Sequence, residues 1–402
     1  MPGLPTQEQH MTVRGSQRLS SLGGYAFAEV DKLVEELKGK GVNVLDFGVG
    51  DPRAPTPPLV RERGQAAIDE HATSGYPSYV GSAAFRKACA DWIGRRFGVT
   101  LDPAKHVTAT IGSKEAVFHL PLAFLDPGDV VVSPNPGYPP YTRGTLFAGG
   151  VNHTYALRAE SGFLPDLRSV PDSVWAKTKM LWVCYPNSPT GAVAPLSFFR
   201  DAAAFCRERG ILLVSDEAYS EMWFTPEAPP SALQAGLENV LAVFSMSKRS
   251  NMTGWRVGFV AGDEQAVALF KKIKTNIDSG TPSFIQDAAI AALSDETHVK
   301  AMCAEYRKKR DVICGAFRGI GLPDCTPAST MYVWQQGPKG MSSVEFAKRL
   351  LDPAIAIVAT PGTWLSSPQD GVDPGEGRVR LALVPTVEEC DEAARRLSRL
   401  RL

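Results

Sequence analysis

Apolar residues at 27, 30, 33, 34 and 37 recur at helical spacing and predict a helix over 25–40. A short apolar segment at 42–47 then reads as a strand running into the turn Gly48-Val-Gly-Asp-Pro52. Further apolar-rich segments at 107–111, 129–133, 180–185, 211–215 and 240–244 predict strands. Helical patterns lie between them, opening at Gly112 and spanning 198–209. Strand and helix in alternation imply a mainly parallel α/β sheet. Runs without polar interruption imply that helices cover both of its faces.

After residue 285 the pattern changes. Residues 285–318 are helix-rich, with a charged, solvated face at 305–311. Strands are predicted at 329–334 and 378–383, and helices at 343–351 and 387–399. This is an α+β arrangement, which the helix near 25–40 would complete. The expected division is an arm and helix over 1–49, a large domain over 50–285, and a smaller domain over 286–402. The segment 366–377 is rich in Gly, Pro and Asp and predicts a mobile surface connection.

Composition narrows the classes. The chain has 402 residues, of which 44% are hydrophobic, with 43 acids against 43 bases. A balanced charge provides no field for nucleic acid or a membrane surface. No apolar run approaches the length that crosses a bilayer. Residues 1–18 are polar, with no apolar core of a secretory signal, so a cytoplasmic location is expected. Seven scattered cysteines without CxxC spacing suggest reduced thiols rather than disulfides or a zinc site, and no metal is expected.

The stretch Ser245-Met-Ser-Lys-Arg-Ser-Asn-Met-Thr-Gly-Trp-Arg256 carries the most chemistry. Lys248 stands among small hydroxyl residues, with Arg256 following. Desolvation and nearby positive charge make such an amine nucleophilic and suited to a Schiff base. Ser245, Ser247 and Arg256 can hold an anion beside it, so an aldehyde cofactor with a phosphate fits. A serine-rich surface loop is the plainer alternative.

Other polar groups fall just past strands, where ligands bind in open α/β sheets. Gly112-Ser113-Lys114 opens a helix and can face an anion, or can simply cap the helix. Tyr138, in Asn135-Pro-Gly-Tyr-Pro-Pro-Tyr141, can stack on a planar ring or pack in a turn. Asn187 and Tyr219 can bond a phenolic oxygen. Asp216 can pair with a pyridine nitrogen and keep it protonated, or can hold a metal. A nucleotide hydrolase is set aside, because no G-x-x-x-x-G-K-[ST] accompanies Asp216. Arg380, inside an apolar strand, can clamp a carboxylate or form a structural ion pair.

In order and spacing, the set resembles the class I/II aminotransferases, pyridoxal 5′-phosphate enzymes of fold type I. The likeness runs from about residue 18 to the C-terminus. It implies a large domain with a mainly parallel seven-stranded sheet between helices, plus a smaller α+β domain. It implies that Lys248 holds the cofactor, that Asp216 meets the pyridine nitrogen, and that Asn187 and Tyr219 bond the phenolic oxygen. It implies that Tyr138 stacks on the ring and that Ser113, Lys114 (by its backbone), Ser245 and Arg256 take the phosphate. Tyr76 resembles a tyrosine that reaches the neighbouring subunit's phosphate. Arg380 matches the arginine for the substrate α-carboxylate, and Gly50 a backbone contact beside the substrate. The implied partners are a small amino acid and a 2-oxo acid, with 2-oxoglutarate and glutamate as one pair. A homodimer with shared sites is also implied.

Within the family, the stretches Gly75-Tyr-Pro-Ser-Tyr79, Ile111-Gly-Ser-Lys-Glu115 and Asn276-Ile-Asp-Ser-Gly280 look like LL-diaminopimelate aminotransferases of lysine biosynthesis. That likeness places Tyr25 and Asn276 near the substrate, with Asn276 acting across the interface. Val80 departs from it, because an acidic residue is expected there. Thr360-Pro-Gly-Thr-Trp364 and the loop that follows look more like N-succinyl-diaminopimelate aminotransferases. Aspartate- or alanine-type transamination and a carbon–sulfur β-lyase are the remaining enzymatic alternatives. A ligand-binding regulator on the same fold would carry an added DNA-binding domain, and only a short lead precedes residue 18.

Overall fold

A computed structural model describes residues 13, 15–22, 28–73, 75–369 and 371–401. Its centre is a seven-stranded sheet. From one edge to the other the strands are Val107–Thr110, Gly258–Gly262, Val240–Ser245, Leu212–Asp216, Thr178–Cys184, Val130–Asn135 and Val151–Ala156. Gly258–Gly262 runs antiparallel to both neighbours, and all other pairs are parallel. The mainly parallel α/β architecture expected from the apolar runs is therefore present.

The alternation of side chains along each strand divides this part of the chain into two cores. Leu181, Val183, Leu213, Ala242, Phe244, Phe259 and Ala261 face one way. They pack against Phe85, Trp92 and Ile93 of the helix Ala83–Phe97 and Phe199 and Cys206 of Leu196–Arg209. Met180, Trp182, Leu212, Val214, Leu241, Val243 and Val260 face the other way. Their cover is Val117 and Leu120 of Ser113–Phe124 and Phe270 of Glu264–Lys274. Burial on both faces explains why runs such as 180–185 and 240–244 contain no polar side chain that needs water, and why Thr108 and Thr110 are the only polar residues between Val107 and Ile111. Trp92 meets Phe97, Phe244 and Phe259 edge-on at 5.5–6.1 Å, and truncating such a side chain costs roughly 3–5 kcal/mol.

A further core gathers Leu45 and Phe47 with the late elements. Tyr332–Gln336, Arg378–Ala382 and Thr360–Pro361 form an antiparallel sheet, and Leu45–Asp46 pairs in parallel with Ile357–Val358. Thr297–Gly319, Ser343–Leu350 and Val387–Leu397 pack on it. Two of these helices begin with reciprocal capping boxes, Ser342 with Glu345 and Thr386 with Glu389. The helix Ala28–Gly39 adds Val30 and Leu37 against Leu351 and Val358. Among the described residues, no helix is long and apolar enough to cross a membrane.

Two local expectations differ from the structure, and one edge strand carries no signal in the sequence. The 42–47 segment is strand only at Leu45–Asp46. The edge strand Val151–Ala156 has no apolar run, because most of it is only partly covered. The 366–377 segment, expected to be a mobile connection, is fastened. Ser367 N–H donates to Asn135 Oδ1 (3.0 Å), and Asn135 Nδ2 donates to Ser367 O (2.7 Å). Gln369 makes two bonds to Thr154, at 2.9 and 2.7 Å. Neighbouring strands thus present matched polar groups to a loop of turn-forming residues.

Candidate active site

The parallel strands end in Asn135, Cys184, Asp216 and Ser245, and the candidate residues follow from those ends. After Ser245 the chain turns through the short helix Met246–Arg249, and the Ser245 hydroxyl accepts from Ser247 N–H at 3.2 Å. This turn sets Lys248, whose Nζ donates to Gly50 O at 2.5 Å. Burial lowers the Lys248 pKa. Tyr332 and Asp51 oppose that shift, whereas Arg256 and Arg380 add to it. An amine that loses its proton more readily than usual is a better nucleophile and a better base.

Asp216 ends its strand as a buried carboxyl. Its Oδ2 accepts from the Tyr141 hydroxyl at 2.7 Å, and its Oδ1 accepts from Ala218 N–H at 3.2 Å. Burial raises its pKa, and these two donors act against the rise. Tyr141 is itself stacked on Trp182, with ring centroids 4.9 Å apart. Asn187 is fully buried; its Oδ1 accepts from Thr190 N–H and hydroxyl, and its Nδ2 donates to Cys184 O. One amide hydrogen of Asn187 is left for a ligand. The Tyr219 hydroxyl donates to the Tyr332 hydroxyl at 3.1 Å. The Tyr138 ring stands edge-on to Tyr141, with centroids 5.8 Å apart, and burial with the Asp216 charge pushes its hydroxyl up to about 12.

Gly112 caps the helix Ser113–Phe124 with φ 73°, and a Cβ on it would strike the Arg256 guanidinium. Arg256 lies against this turn, donating to Thr253 O at 2.7 Å and to Ile111 O at 3.5 Å. A helix N-terminus and a guanidinium thus share one cradle, a suitable environment for an anion. Ser113 opens the helix, and the Lys114 side chain is exposed, leaving its backbone toward the cradle.

Arg380 approaches from the late sheet. It donates to Gly48 O at 3.0 Å and to Thr360 Oγ1 at 3.4 Å, and its guanidinium lies 4.5 Å from the Tyr332 ring centre. Its Nε is buried with no partner among the described residues. Gly50 has to be small, because a Cβ there would collide with the Tyr332 hydroxyl.

The structure therefore brings Lys248 to Gly50, while Arg380 and Tyr219 both meet Tyr332. Tyr76 and Asn276 stand apart in the single chain. Tyr76 is 84% exposed, and Asn276 is exposed with its amide on Lys272 O. Tyr25 lies outside the described residues. Sequence reasoning missed the roles of Tyr141, which holds Asp216, and Tyr332, which touches Tyr219 and Arg380. A tyrosine at the head of an apolar strand was the available signal for Tyr332.

The donor set fits pyridoxal 5′-phosphate. A readily neutralised amine suits its aldehyde, and the cradle at Gly112 suits its phosphate. Asp216 is a buried carboxyl whose protein partners are neutral, and a protonated ring nitrogen would supply the missing cation.

Residues 42–397 match the family described as aminotransferase class I and II. The chain is 44% identical over 390 residues to an LL-diaminopimelate aminotransferase of Aquifex aeolicus (strain VF5), covering 96% of this chain and 99% of that one. It superposes on substrate-bound BacF of Bacillus subtilis with a TM-score of 0.89 at 32% identity, covering 98% and 99% of the two chains. A probable N-succinyldiaminopimelate aminotransferase of Thermus thermophilus gives a TM-score of 0.86 at 32% identity, covering 94% and 100%.

Proposed function

Because the chain belongs to the class I and II aminotransferases, a pyridoxal-phosphate-dependent family, we propose that it transaminates a diaminopimelate-type amino acid. Glutamate and 2-oxoglutarate form the second substrate pair in this reading. The observation that carries the chemistry is the convergence of Lys248, Arg380 and Tyr219 through Gly50 and Tyr332. The substrate class rests on the extended likeness to the LL-diaminopimelate enzyme.

When bound, pyridoxal phosphate supplies the aldehyde that takes up the amino group and the ring that accepts the electron pair left on Cα. Each protein group then has a separate task. Arg380 receives the substrate α-carboxylate through donors that the protein leaves unused. Lys248 Nζ takes the Cα proton and later returns one, acting as general base and then general acid. Asp216, steadied by Tyr141, accepts the N–H of the ring nitrogen. Asn187 would donate its free amide hydrogen to the phenolic oxygen, Tyr219 would turn its hydroxyl hydrogen from Tyr332 to the same atom, and Tyr138 would cover the ring. Ser113, Lys114 N–H, Ser245, Ser247 and Arg256 hold the phosphate. Gly50 lends its carbonyl to Lys248.

We further propose a homodimer in which Tyr76 and Asn276 complete the neighbouring site. The exposure of Tyr76, a large aromatic side chain, supports this arrangement. Residues 50–285 would form the cofactor-binding body, with 1–49 and 286–402 forming the smaller one. The packing of Leu45 and Phe47 among late elements supports that division.

A second reading, an N-acylated donor, is favoured by Val80. Without an acid at that position, a free distal ammonium lacks one expected partner. The test compares LL-diaminopimelate with its N-succinyl derivative as amino donor to 2-oxoglutarate, measuring glutamate formed. The primary reading requires higher kcat/KM for the free diamine. A preference for the succinylated donor would replace it, and pyruvate release from cysteine conjugates without an oxo acid would indicate a lyase.

A further inference from the structure

Lys274 ends the helix Glu264–Lys274 and is 0% exposed, an extreme position for a lysine. Its ammonium contacts both oxygens of Glu115 at 3.0 and 2.9 Å and both oxygens of Asp278 at 2.8 and 2.9 Å. Glu115, His119 and Asp278 lie close enough together to suggest a metal site. The Lys274 ammonium already sits between the two carboxylates, so the protein supplies that cation itself.

Glu115 is the third residue of the helix that begins at the Gly112 cradle. An acid at this position commonly folds back onto the N–H of the capping residue. Here it reaches one residue further, and Ile111 N–H donates to Glu115 Oε2 at 2.5 Å. The Gly112 N–H is consequently left open, and with the Ser113 and Lys114 N–H groups, which a helix N-terminus leaves open in any case, it has no acceptor among the described residues. Burial alone would raise the Glu115 pKa, but His119, Lys274 and the Ile111 N–H outweigh it, so the group is held as a carboxylate. Asp278 accepts from Gly280 N–H at 2.7 Å, which joins the 276–280 segment to the same ammonium. Gly280 in turn abuts the backbone of Ser78 and Tyr79.

We propose that Lys274 is a positioning residue for the phosphate site: it locks Glu115 onto Ile111, which leaves the Gly112 N–H free to face the anion beside those of Ser113 and Lys114. The same ammonium ties that turn to the segment carrying Asn276. Lys274 touches neither cofactor nor substrate; it acts through Glu115. The proposal rests on the pyridoxal-phosphate reading of the site.

The test uses the purified full-length apoprotein, titrated separately with pyridoxal 5′-phosphate and with pyridoxal. The ratio of the two Kd values isolates the phosphate contribution. Glu115→Gln keeps the side-chain volume and removes the charge, whereas Lys274→Met removes the central cation. Both variants are expected to cut the wild-type preference for the phosphorylated ligand by about tenfold, within the range of indirect couplings. Inorganic phosphate should compete correspondingly less well in both. If Lys274→Met does not fold, Glu115→Gln decides alone. An unchanged ratio, or equal weakening of both ligands, would overturn the proposal and assign the cluster to general stability. If the wild type itself shows no preference for the phosphorylated ligand, the cofactor reading fails instead.

Discussion

The Tyr141 hydroxyl donates to Asp216 Oδ2 at 2.7 Å, and both groups are buried. This bond opposes the burial that pushes the Asp216 pKa upward. Tyr141→Phe keeps the ring that stacks on Trp182 and deletes only the donor. Asp216 should then hold its proton more tightly and serve less well as the anion beside the ring nitrogen. A hydrogen bond to a charged group contributes about 1.5–3 kcal/mol, so kcat should fall roughly tenfold or more. The acid limb of the kcat profile should move to higher pH, with KM little changed. Steady-state kinetics across pH checks this.

Arg380→Ala should raise KM for both the amino acid and the 2-oxo acid, because each presents the same α-carboxylate. The loss in kcat/KM should correspond to about 2–3 kcal/mol. Arg380→Lys should recover only part of it, because an ammonium lacks the planar fork. An increase in KM for one substrate alone would contradict the role.

Glu217 adjoins Asp216 but belongs to another network. It is buried, its Oε1 accepts from Ala232 N–H at 2.9 Å, and its Oε2 has no partner among the described residues. Burial raises its pKa from an ordinary 4.5 to about 7. A raised carboxyl contributes stability that is fully present below its unfolded value and lost as pH climbs through its folded value. Stability should therefore decline from about pH 4.5 to somewhat above 7, by roughly 3 kcal/mol from this group. Glu217→Gln should remove that portion of the slope. Thermal unfolding of both apoproteins at pH 5 and pH 8 checks it; equal slopes would assign the pH dependence elsewhere.

The legible parts of the sequence were those whose information is local. Strands such as Thr178–Cys184 are apolar at nearly every position because both sides are covered, so a single run announces them. Lys248 and Arg256 are recognisable because one turn sets their spacing. Tyr332 was different, since its partners Tyr219 and Gly50 lie far away in the chain. Lys274 reads as an ordinary surface residue at the end of an amphipathic helix, and only tertiary packing buries it between two carboxylates. The 366–377 segment has the composition of a free loop, yet Asn135 and Thr154 fasten it from neighbouring strands.

In the proposed reaction Lys248 holds the cofactor and then moves the substrate proton. The most direct measurement is borohydride reduction of the pyridoxal-phosphate-loaded protein, followed by peptide mapping by mass spectrometry. One phosphopyridoxyl group should be found on the peptide containing Lys248. Lys248→Ala should show no such adduct and should lose transamination while still binding the cofactor non-covalently. An adduct on another lysine, or wild-type transamination by Lys248→Ala, would contradict the account.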